Sequence, residues 1–330
     1  MRDLHGMSVV ITGASSGIGR ATALAFADGG AHLTLAARRG GKLADLAREC
    51  ERRGGRAQYL ETDVADPVAM RALARAAVRR HGRIDVWVNN AGVGAIGRFT
   101  DTPIEAHDRV IRTNLMGYLH GAHAVLPHFQ ERGEGTLINV GSFGAFVPPV
   151  FGASYAASKF GLRGLSESLR AELQDYPGIR ICDVHPGFVD TPGIEHAANY
   201  TGHELHPSPP DRPETVADAI VHTALHPRDK VSVGAIAKLA PVAYAVAPAL
   251  GRWVMARVMG HALERAPAQR PTSGALFSPA SDTGGARGGF PGGPAGVFED
   301  VARAPTVAKL AGLGAVLVLG LAWLGTVSRR

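Results

Sequence analysis

Along the first 190 residues, short runs of apolar and β-branched positions alternate with longer segments in which apolar residues recur every three or four places. "SVVIT" is followed by "GIGRATALAFADGG", "HLTLAA" by "GKLADLARECERRG", and "AQYLET" by "PVAMRALARAAVRRHG", ahead of the apolar run "IDVWVNN". Strand alternating with helix predicts parallel pairing through helical crossovers, with helices covering both faces of one sheet. Further on, "EGTLINVGS" and "GIRICDVHPG" read as two more strands, separated by a helical pattern from about Ser154 to Asp175. "KVSVG" at 230–234 reads as a last edge strand. The predicted fold is α/β, a doubly wound parallel sheet in a single domain over residues 1–265.

The pattern changes beyond that sheet. "AIAKLAPVAYAVAPALGRWVMARVMG" is an apolar helical stretch punctuated by Pro241 and Pro248, expected to pack on the domain or beside a substrate entrance. Residues 266–305 turn to Pro, Gly, Ser and Ala, a composition that buries too little apolar surface to offset its ordering entropy, so a flexible linker is expected there. Residues 306–330 contain an uncharged run from Leu310 to Val327. A helix of that length spans roughly 27 Å, close to the hydrocarbon thickness of a bilayer. It is expected to be a C-terminal transmembrane helix, a single-pass membrane anchor. "MRDLHGMSVVITG" has no charged and apolar leader pattern, which places the preceding domain on the cytoplasmic side in this reading.

Composition narrows the partners. With 45% hydrophobic and 19% charged residues the chain is not globally disordered, and no internal repeat is present. The net charge of +6 comes from arginines scattered along helix-like stretches such as "RALARAAVRRHGR", not gathered with aromatics, so no nucleic acid is expected. Cys50 and Cys182 lack metal-ligand spacing, and His196, His203 and His206 lack an accompanying ligand set, so no metal is expected.

The candidate chemistry begins at "VVITGASSGIGRATALAF", where Gly13, Gly17 and Gly19 lie between a predicted strand and a predicted helix. Small residues there let the backbone approach a pyrophosphate at the helix N-terminus, the arrangement of a Rossmann-type dinucleotide site. NAD sites commonly place a carboxylate about 20 residues downstream for the ribose 2′-hydroxyl. This chain has Ala37, Arg38 and Arg39 instead, which favours the 2′-phosphate of NADP(H) over NAD(H). In "SYAASKFG", Tyr155 and Lys159 are spaced i, i+4 and share a helix face, and Ser142 of "NVGSFGA" lies 13 residues before the tyrosine. A nearby ammonium is expected to lower the phenol pKa, fitting Tyr155 for general acid/base work with Ser142 bonded to a substrate oxygen.

"TGASSGIG" at 12–19, "NNAG" at 89–92, Asn114 in "RTNLMG", Ser142, "YAASK" at 155–159 and "HPGFVDT" at 185–191 together resemble the short-chain dehydrogenase/reductase family over roughly residues 5–265. The resemblance implies a catalytic tetrad of Asn114, Ser142, Tyr155 and Lys159, with Lys159 also on the nicotinamide ribose and Asn114 supporting a water-linked proton relay. It implies that Ser15, Ser16 and Ile18 complete the phosphate turn, that Asp63 and Val64 flank the adenine, and that Asn90, Ala91 and Gly92 line the cleft. Pro186, Gly187 and Thr191 fall at the nicotinamide end, residues 193–214 form a mobile substrate lid, and the long helices near 103–131 and 153–175 pair in a homo-oligomer. The expected function is NADP(H)-dependent interconversion of a carbonyl and a secondary alcohol on a lipophilic small molecule met at a membrane. The alternatives are an NAD-dependent alcohol dehydrogenase, which Arg38 and Arg39 weigh against, and a non-enzymatic membrane-tethered nucleotide-binding scaffold, which the intact Ser142, Tyr155 and Lys159 weigh against.

Overall fold

The computed structural model describes residues 3–204, 211–279 and 285–288. The chain runs through β1 (Ser8–Thr12), α1 (Gly17–Asp28), β2 (His32–Ala37), α2 (Gly40–Arg52), β3 (Arg56–Glu61), α3 (Pro67–His81) and β4 (Val86–Asn89). It continues through β5 (Ala95–Ile96), α4 (Ile104–Ile111), a π-helical turn at Arg112–Met116, α5 (Gly117–Arg132), β6 (Glu134–Val140), α6 (Ala153–Glu172) and β7 (Gly178–Pro186). Then come α7 (Pro192–Glu195), β8 (Ala198–Asn199), α8 (Pro213–Leu225), β9 (Lys230–Val233), α9 (Ala235–Val246) and α10 (Pro248–Arg265).

Seven strands form one sheet in the order β3-β2-β1-β4-β6-β7-β9, every neighbour parallel. This is the predicted doubly wound architecture, and "KVSVG" supplies the edge strand β9. The central strands β1 and β4 are buried along their whole length, which explains why they read as unbroken apolar runs. Alternation then divides their side chains between two cores. Val9, Ile11, Leu33 and Leu35 face Phe26 of α1, Leu43 and Leu46 of α2 and Ile220 of α8. Val10, Trp87, Leu137 and Ile181 face Leu73 of α3 and Phe129 of α5. Local signals set the helix ends: α3 starts where Asp66 accepts from the Val68 N–H with Pro67 in the first turn, and stops at left-handed Gly82.

A polar ladder crosses the second core beneath β4, β6 and β7. Trp87 Nε1 donates to Asn89 (2.8 Å), Asn89 to Asn139 (3.0 Å), Asn139 to Ser166 (3.0 Å), and Ser166 to Asp183 (2.6 Å). Arg170 closes it with a 2.8 Å ion pair to Asp183, whose carboxylate is 1% exposed. Each side chain of the ladder thereby has at least one hydrogen-bond partner, and Arg170 Nη1, which makes no hydrogen bond, lies 3.4 Å from the Glu167 carboxylate.

Two expectations about the C-terminal part are corrected. In 266–279 the chain is no free tether: Thr272 bridges antiparallel to Asn199, Ala268 bridges to His203, and the Leu276 side chain is buried. Backbone pairing and one apolar side chain hold a segment whose composition signals a linker. The membrane localisation is overturned as well, because among the described residues no helix is long and apolar enough to cross a membrane. The longest apolar candidate, α10, carries Arg252, Arg257, Glu264 and Arg265 within its 18 residues. The expected transmembrane helix at 306–330 lies outside the described residues, as do His206, part of the expected lid and residues 280–284 and 289–305 of the expected linker.

The ladder gives a stability prediction. Arg170→Met leaves the Asp183 carboxylate buried without its cation and should lower the unfolding free energy by about 3–5 kcal/mol, read from urea denaturation curves.

Candidate active site

Strand order reverses between β1 and β4, and the carboxyl ends of strands flanking such a reversal open the crevice in which α/β folds bind ligands. Hydrogen bonds stitch this point together. The Asn90 N–H donates to Thr12 Oγ1 (3.0 Å), and Asn90 Nδ2 to the Thr12 carbonyl (2.9 Å). Gly13 has φ of +66°, and a Cβ there would fall 2.7 Å from the Ala91 Cα, so only glycine permits the closure. Gly17, at φ +56°, starts α1 against the Thr191 side chain, while Gly19 faces Gly13 and Asn90. A backbone this bare at a helix N-terminus fits the pyrophosphate of a dinucleotide. Arg39 reaches back over this turn and donates to Ser15 (3.0 Å) and Ser16 (2.7 Å); Ile18 packs on the first core.

At the other side of the turn, β2 ends in Ala37 with Arg38 next. The Arg38 guanidinium donates to the carbonyls of Ala275 (2.7 Å), Leu276 (3.1 Å) and Phe277 (3.3 Å). Burial, and then neighbouring Arg109, press it below the usual guanidinium value. Arg109, which no local pattern marks in the sequence, donates to Leu276 O (3.1 Å) and pairs with Asp63 at 2.6 Å. Burial works to raise the Asp63 carboxyl, but its bonds to Arg109 and the Ala65 N–H bring it net below the ordinary range. Val64 is buried behind it, its carbonyl bonded to His120 Nδ1 at 2.9 Å.

The acid/base candidates converge at the carboxyl end of β6. Ser142 caps a short 3₁₀ turn, accepting from the Gly144 N–H (3.0 Å), and its hydroxyl and the Tyr155 ring edge converge on Gly144, each 3.2 Å from where a Cβ would stand. Lys159, one turn on from Tyr155 along α6, is buried and donates to the Val140 carbonyl (3.0 Å). The Tyr118 hydroxyl donates to the same carbonyl (2.8 Å), and its ring lies 5.1 Å below the Lys159 ammonium. Burial brings the Lys159 amine down from 10.5 to about 8, with Asp183 acting in the opposite direction. The expected lowering of Tyr155 by this cation is not found. Lys159 Nζ stands 5.8 Å from the Tyr155 ring centre, and burial pushes the phenol up against the opposing hydrogen bond from Ser142.

Asn114 lies in the π-helical turn, a distortion frequent at functional sites. Its side chain pairs with the Val93 backbone, accepting from the N–H and donating to the carbonyl, both at 2.8 Å, beside Gly92. His185, also unmarked in the sequence reading, is buried with Nδ1 at 3.2 Å from the Ser142 carbonyl and its ring edge-on to Phe146. After it Pro186 ends β7, the Gly187 N–H bonds Val233 O (3.1 Å), and Thr191 returns the chain to Gly17.

Comparison with known proteins shows the family of the chain. The short chain dehydrogenase family profile matches residues 7–199. "Uncharacterized oxidoreductase YxnA" of Bacillus subtilis is 36% identical over 282 residues, 83% of this chain and 77% of that protein. "Dehydrogenase/reductase SDR family member 7" of Homo sapiens is 34% identical over 199 residues, 59% of each chain. Among solved structures, an alcohol dehydrogenase from the archaeon Thermococcus sibiricus complexed with 5-hydroxy-NADP superposes with a TM-score of 0.61 at 27% identity, covering 68% of this chain and 95% of that one. By sequence profile, by relatives and by fold, the chain is an oxidoreductase that belongs to the short-chain dehydrogenase/reductase family.

Proposed function

We propose that this oxidoreductase prefers NADP(H) and interconverts a carbonyl and a secondary alcohol on an apolar small molecule, with Tyr155 as the general acid/base. The observation that carries the reading is the convergence of Ser142 and the Tyr155 ring on Gly144 at the end of β6, with the buried Lys159 amine on the same helix as the tyrosine. In the reducing direction Tyr155 gives its hydroxyl proton to the substrate oxygen and in the oxidising direction removes it, while Ser142 hydrogen-bonds that oxygen and fixes its position. Lys159, held on the Val140 carbonyl, would offer its ammonium to the nicotinamide ribose, and Asn114 completes the tetrad on the Val93 backbone. The nicotinamide supplies or accepts the hydride when the dinucleotide is bound.

The residues that would hold that dinucleotide are distributed along the crevice. The turn from Gly13 to Gly19 would take the pyrophosphate, Asp63 and Val64 would flank the adenine, Asn90 to Gly92 would line the cleft, and Pro186, Gly187 and Thr191 would meet the nicotinamide end. Preference for NADP(H) rests on the absence of a carboxylate after Ala37 and on Arg38 and Arg39 at that position. The apolar substrate class is supported by the cluster beside Ser142, in which Phe143, Val147, Ala237, Ala240 and Met255 pack with Phe146 and Phe188.

Three outcomes test this reading. In fluorescence titrations, replacing Arg38 and Arg39 with alanine should reduce the ratio of NADPH to NADH affinity by about tenfold or more, since each charge-assisted contact to the phosphate is worth about 1.5–3 kcal/mol. An unchanged ratio would remove the basis for NADP(H). Tyr155→Phe should retain nucleotide binding and lose about 10²–10⁴ in kcat with apolar ketones, so persistent turnover would rule out the acid/base role. Finally, because the folded state holds the Lys159 amine near 8 and the unfolded chain near 10.5, the native form binds fewer protons across that window. Stability from this group therefore rises with pH between those values. Urea denaturation of wild type and Lys159→Met should show the difference moving in favour of wild type from about pH 7 to about pH 9.5.

A further inference from the structure

The donors that a dinucleotide would need at its adenosine and pyrophosphate ends are engaged by the chain itself. Thr272 and Asn199 exchange both backbone hydrogen bonds (2.8 and 2.9 Å), and the Ala275 N–H donates to His196 O (2.8 Å). This pairing carries residues 272–279 onto the small parallel sheet of β5 and β8. Leu276, 1% exposed, then inserts among Ala95, Ala106, Val110 and Ala198. Its burial brings three successive carbonyls to the Arg38 fork and one to Arg109. Nearer the phosphate turn, the Gly17 N–H at the start of α1 donates to Gly285 O (3.0 Å), and the Gly288 N–H donates to Asp190 Oδ1 (3.0 Å) beside Thr191.

We propose that residues 272–279, with 285–288 across the phosphate turn, dock in the nucleotide groove as an internal occupant that must leave before a dinucleotide binds. The inference rests on the nucleotide-site reading above. Its chemistry is a substitution of acceptors. Peptide carbonyls take the Arg38 and Gly17 donors that would otherwise serve phosphate oxygens, and the Leu276 side chain fills apolar space beside Val110. A neutral carbonyl is a weaker partner for a guanidinium than a phosphate, so the nucleotide displaces the segment once its concentration is sufficient. Mutually exclusive binding lowers the apparent affinity for every dinucleotide by the same factor, the fraction of molecules with the groove open. Docking therefore sets the threshold for both nucleotides, and the contacts of Arg38 set the ratio between them.

The full chain and its Leu276→Asp variant are titrated with NADPH and with NADH by fluorescence, and amide hydrogen exchange of 272–277 is followed with and without saturating NADPH. A carboxylate is not accommodated in the Leu276 site, so the segment is released. If the groove is closed in about nine molecules of ten, both dissociation constants fall about tenfold in the variant and their ratio stays constant. In the wild type, NADPH accelerates exchange of 272–277. Equal binding to both proteins with unaltered exchange overturns the inference and leaves the nucleotide site standing. A gain confined to NADPH also overturns it, placing the effect on the 2′-phosphate contact. Failure of both proteins to bind any nucleotide overturns the site reading and the inference with it. Should Leu276→Asp not fold, Leu276→Ala gives a smaller shift of the same sign, and the wild-type exchange experiment decides alone.

Discussion

Everything in the cleft depends on how closely two backbone turns meet where the strand order reverses. Gly13 and Ala91 lie so near that a single methyl group would collide, and Thr12 and Asn90 lock the approach with hydrogen bonds from side chain to backbone. The turns leading out of β1 and β4 therefore behave as one rigid rim. α1 is aimed by that rim, Thr191 packs against its first residue, and the Asn90–Val93 segment passes directly to the backbone groups that hold Asn114. The bare glycines are the sequence's way of permitting a contact that the sheet topology demands.

The second organising element is a single acceptor, the Val140 carbonyl at the end of β6. Both Tyr118 from α5 and Lys159 from α6 donate to it, so the ammonium is positioned by a central strand and not by a loop. Below it the polar ladder ties Trp87, Asn89, Asn139, Ser166 and Asp183 to Arg170. Asp183 is thus both the foot of a structural network and the charge that partly offsets the desolvation of Lys159. Core architecture and the ionisation of the site are coupled through one carboxylate, which is why the amine settles near 8 instead of falling further.

The legible parts of the sequence were those in which side chains report their surroundings. The strands buried on both faces announced themselves as apolar runs, the glycine turn stood between strand and helix, and Tyr155 and Lys159 showed their shared face by spacing alone. β5 and β8, two residues each, are too short to display any period. Arg109 meets Asp63 across 46 positions, and Tyr118 and Lys159 meet at a backbone carbonyl, relations that no local pattern encodes. The tyrosine's ionisation departs from what helical spacing implies, because spacing places two residues on one face without saying which acceptor the lysine will choose. The 266–279 segment escaped for a similar reason: it is held largely by main-chain groups, which every residue possesses, and its composition speaks only of the surface it cannot bury.

The order of elements along the chain adds a temporal dimension. Every strand of the seven-stranded sheet, and every turn that borders the cleft, precedes residue 234, whereas the segment that engages Arg38 and Leu276's pocket begins beyond residue 268. Domains fold from the amino end as synthesis proceeds. A nascent chain emerging into a pool of dinucleotide therefore presents the cleft to the ligand before its own competitor exists, while a chain that has lost its nucleotide after release presents the competitor first. The history of a molecule, and not only the surrounding concentration of nucleotide, then governs which occupant it carries, for as long as exchange between the two is slow.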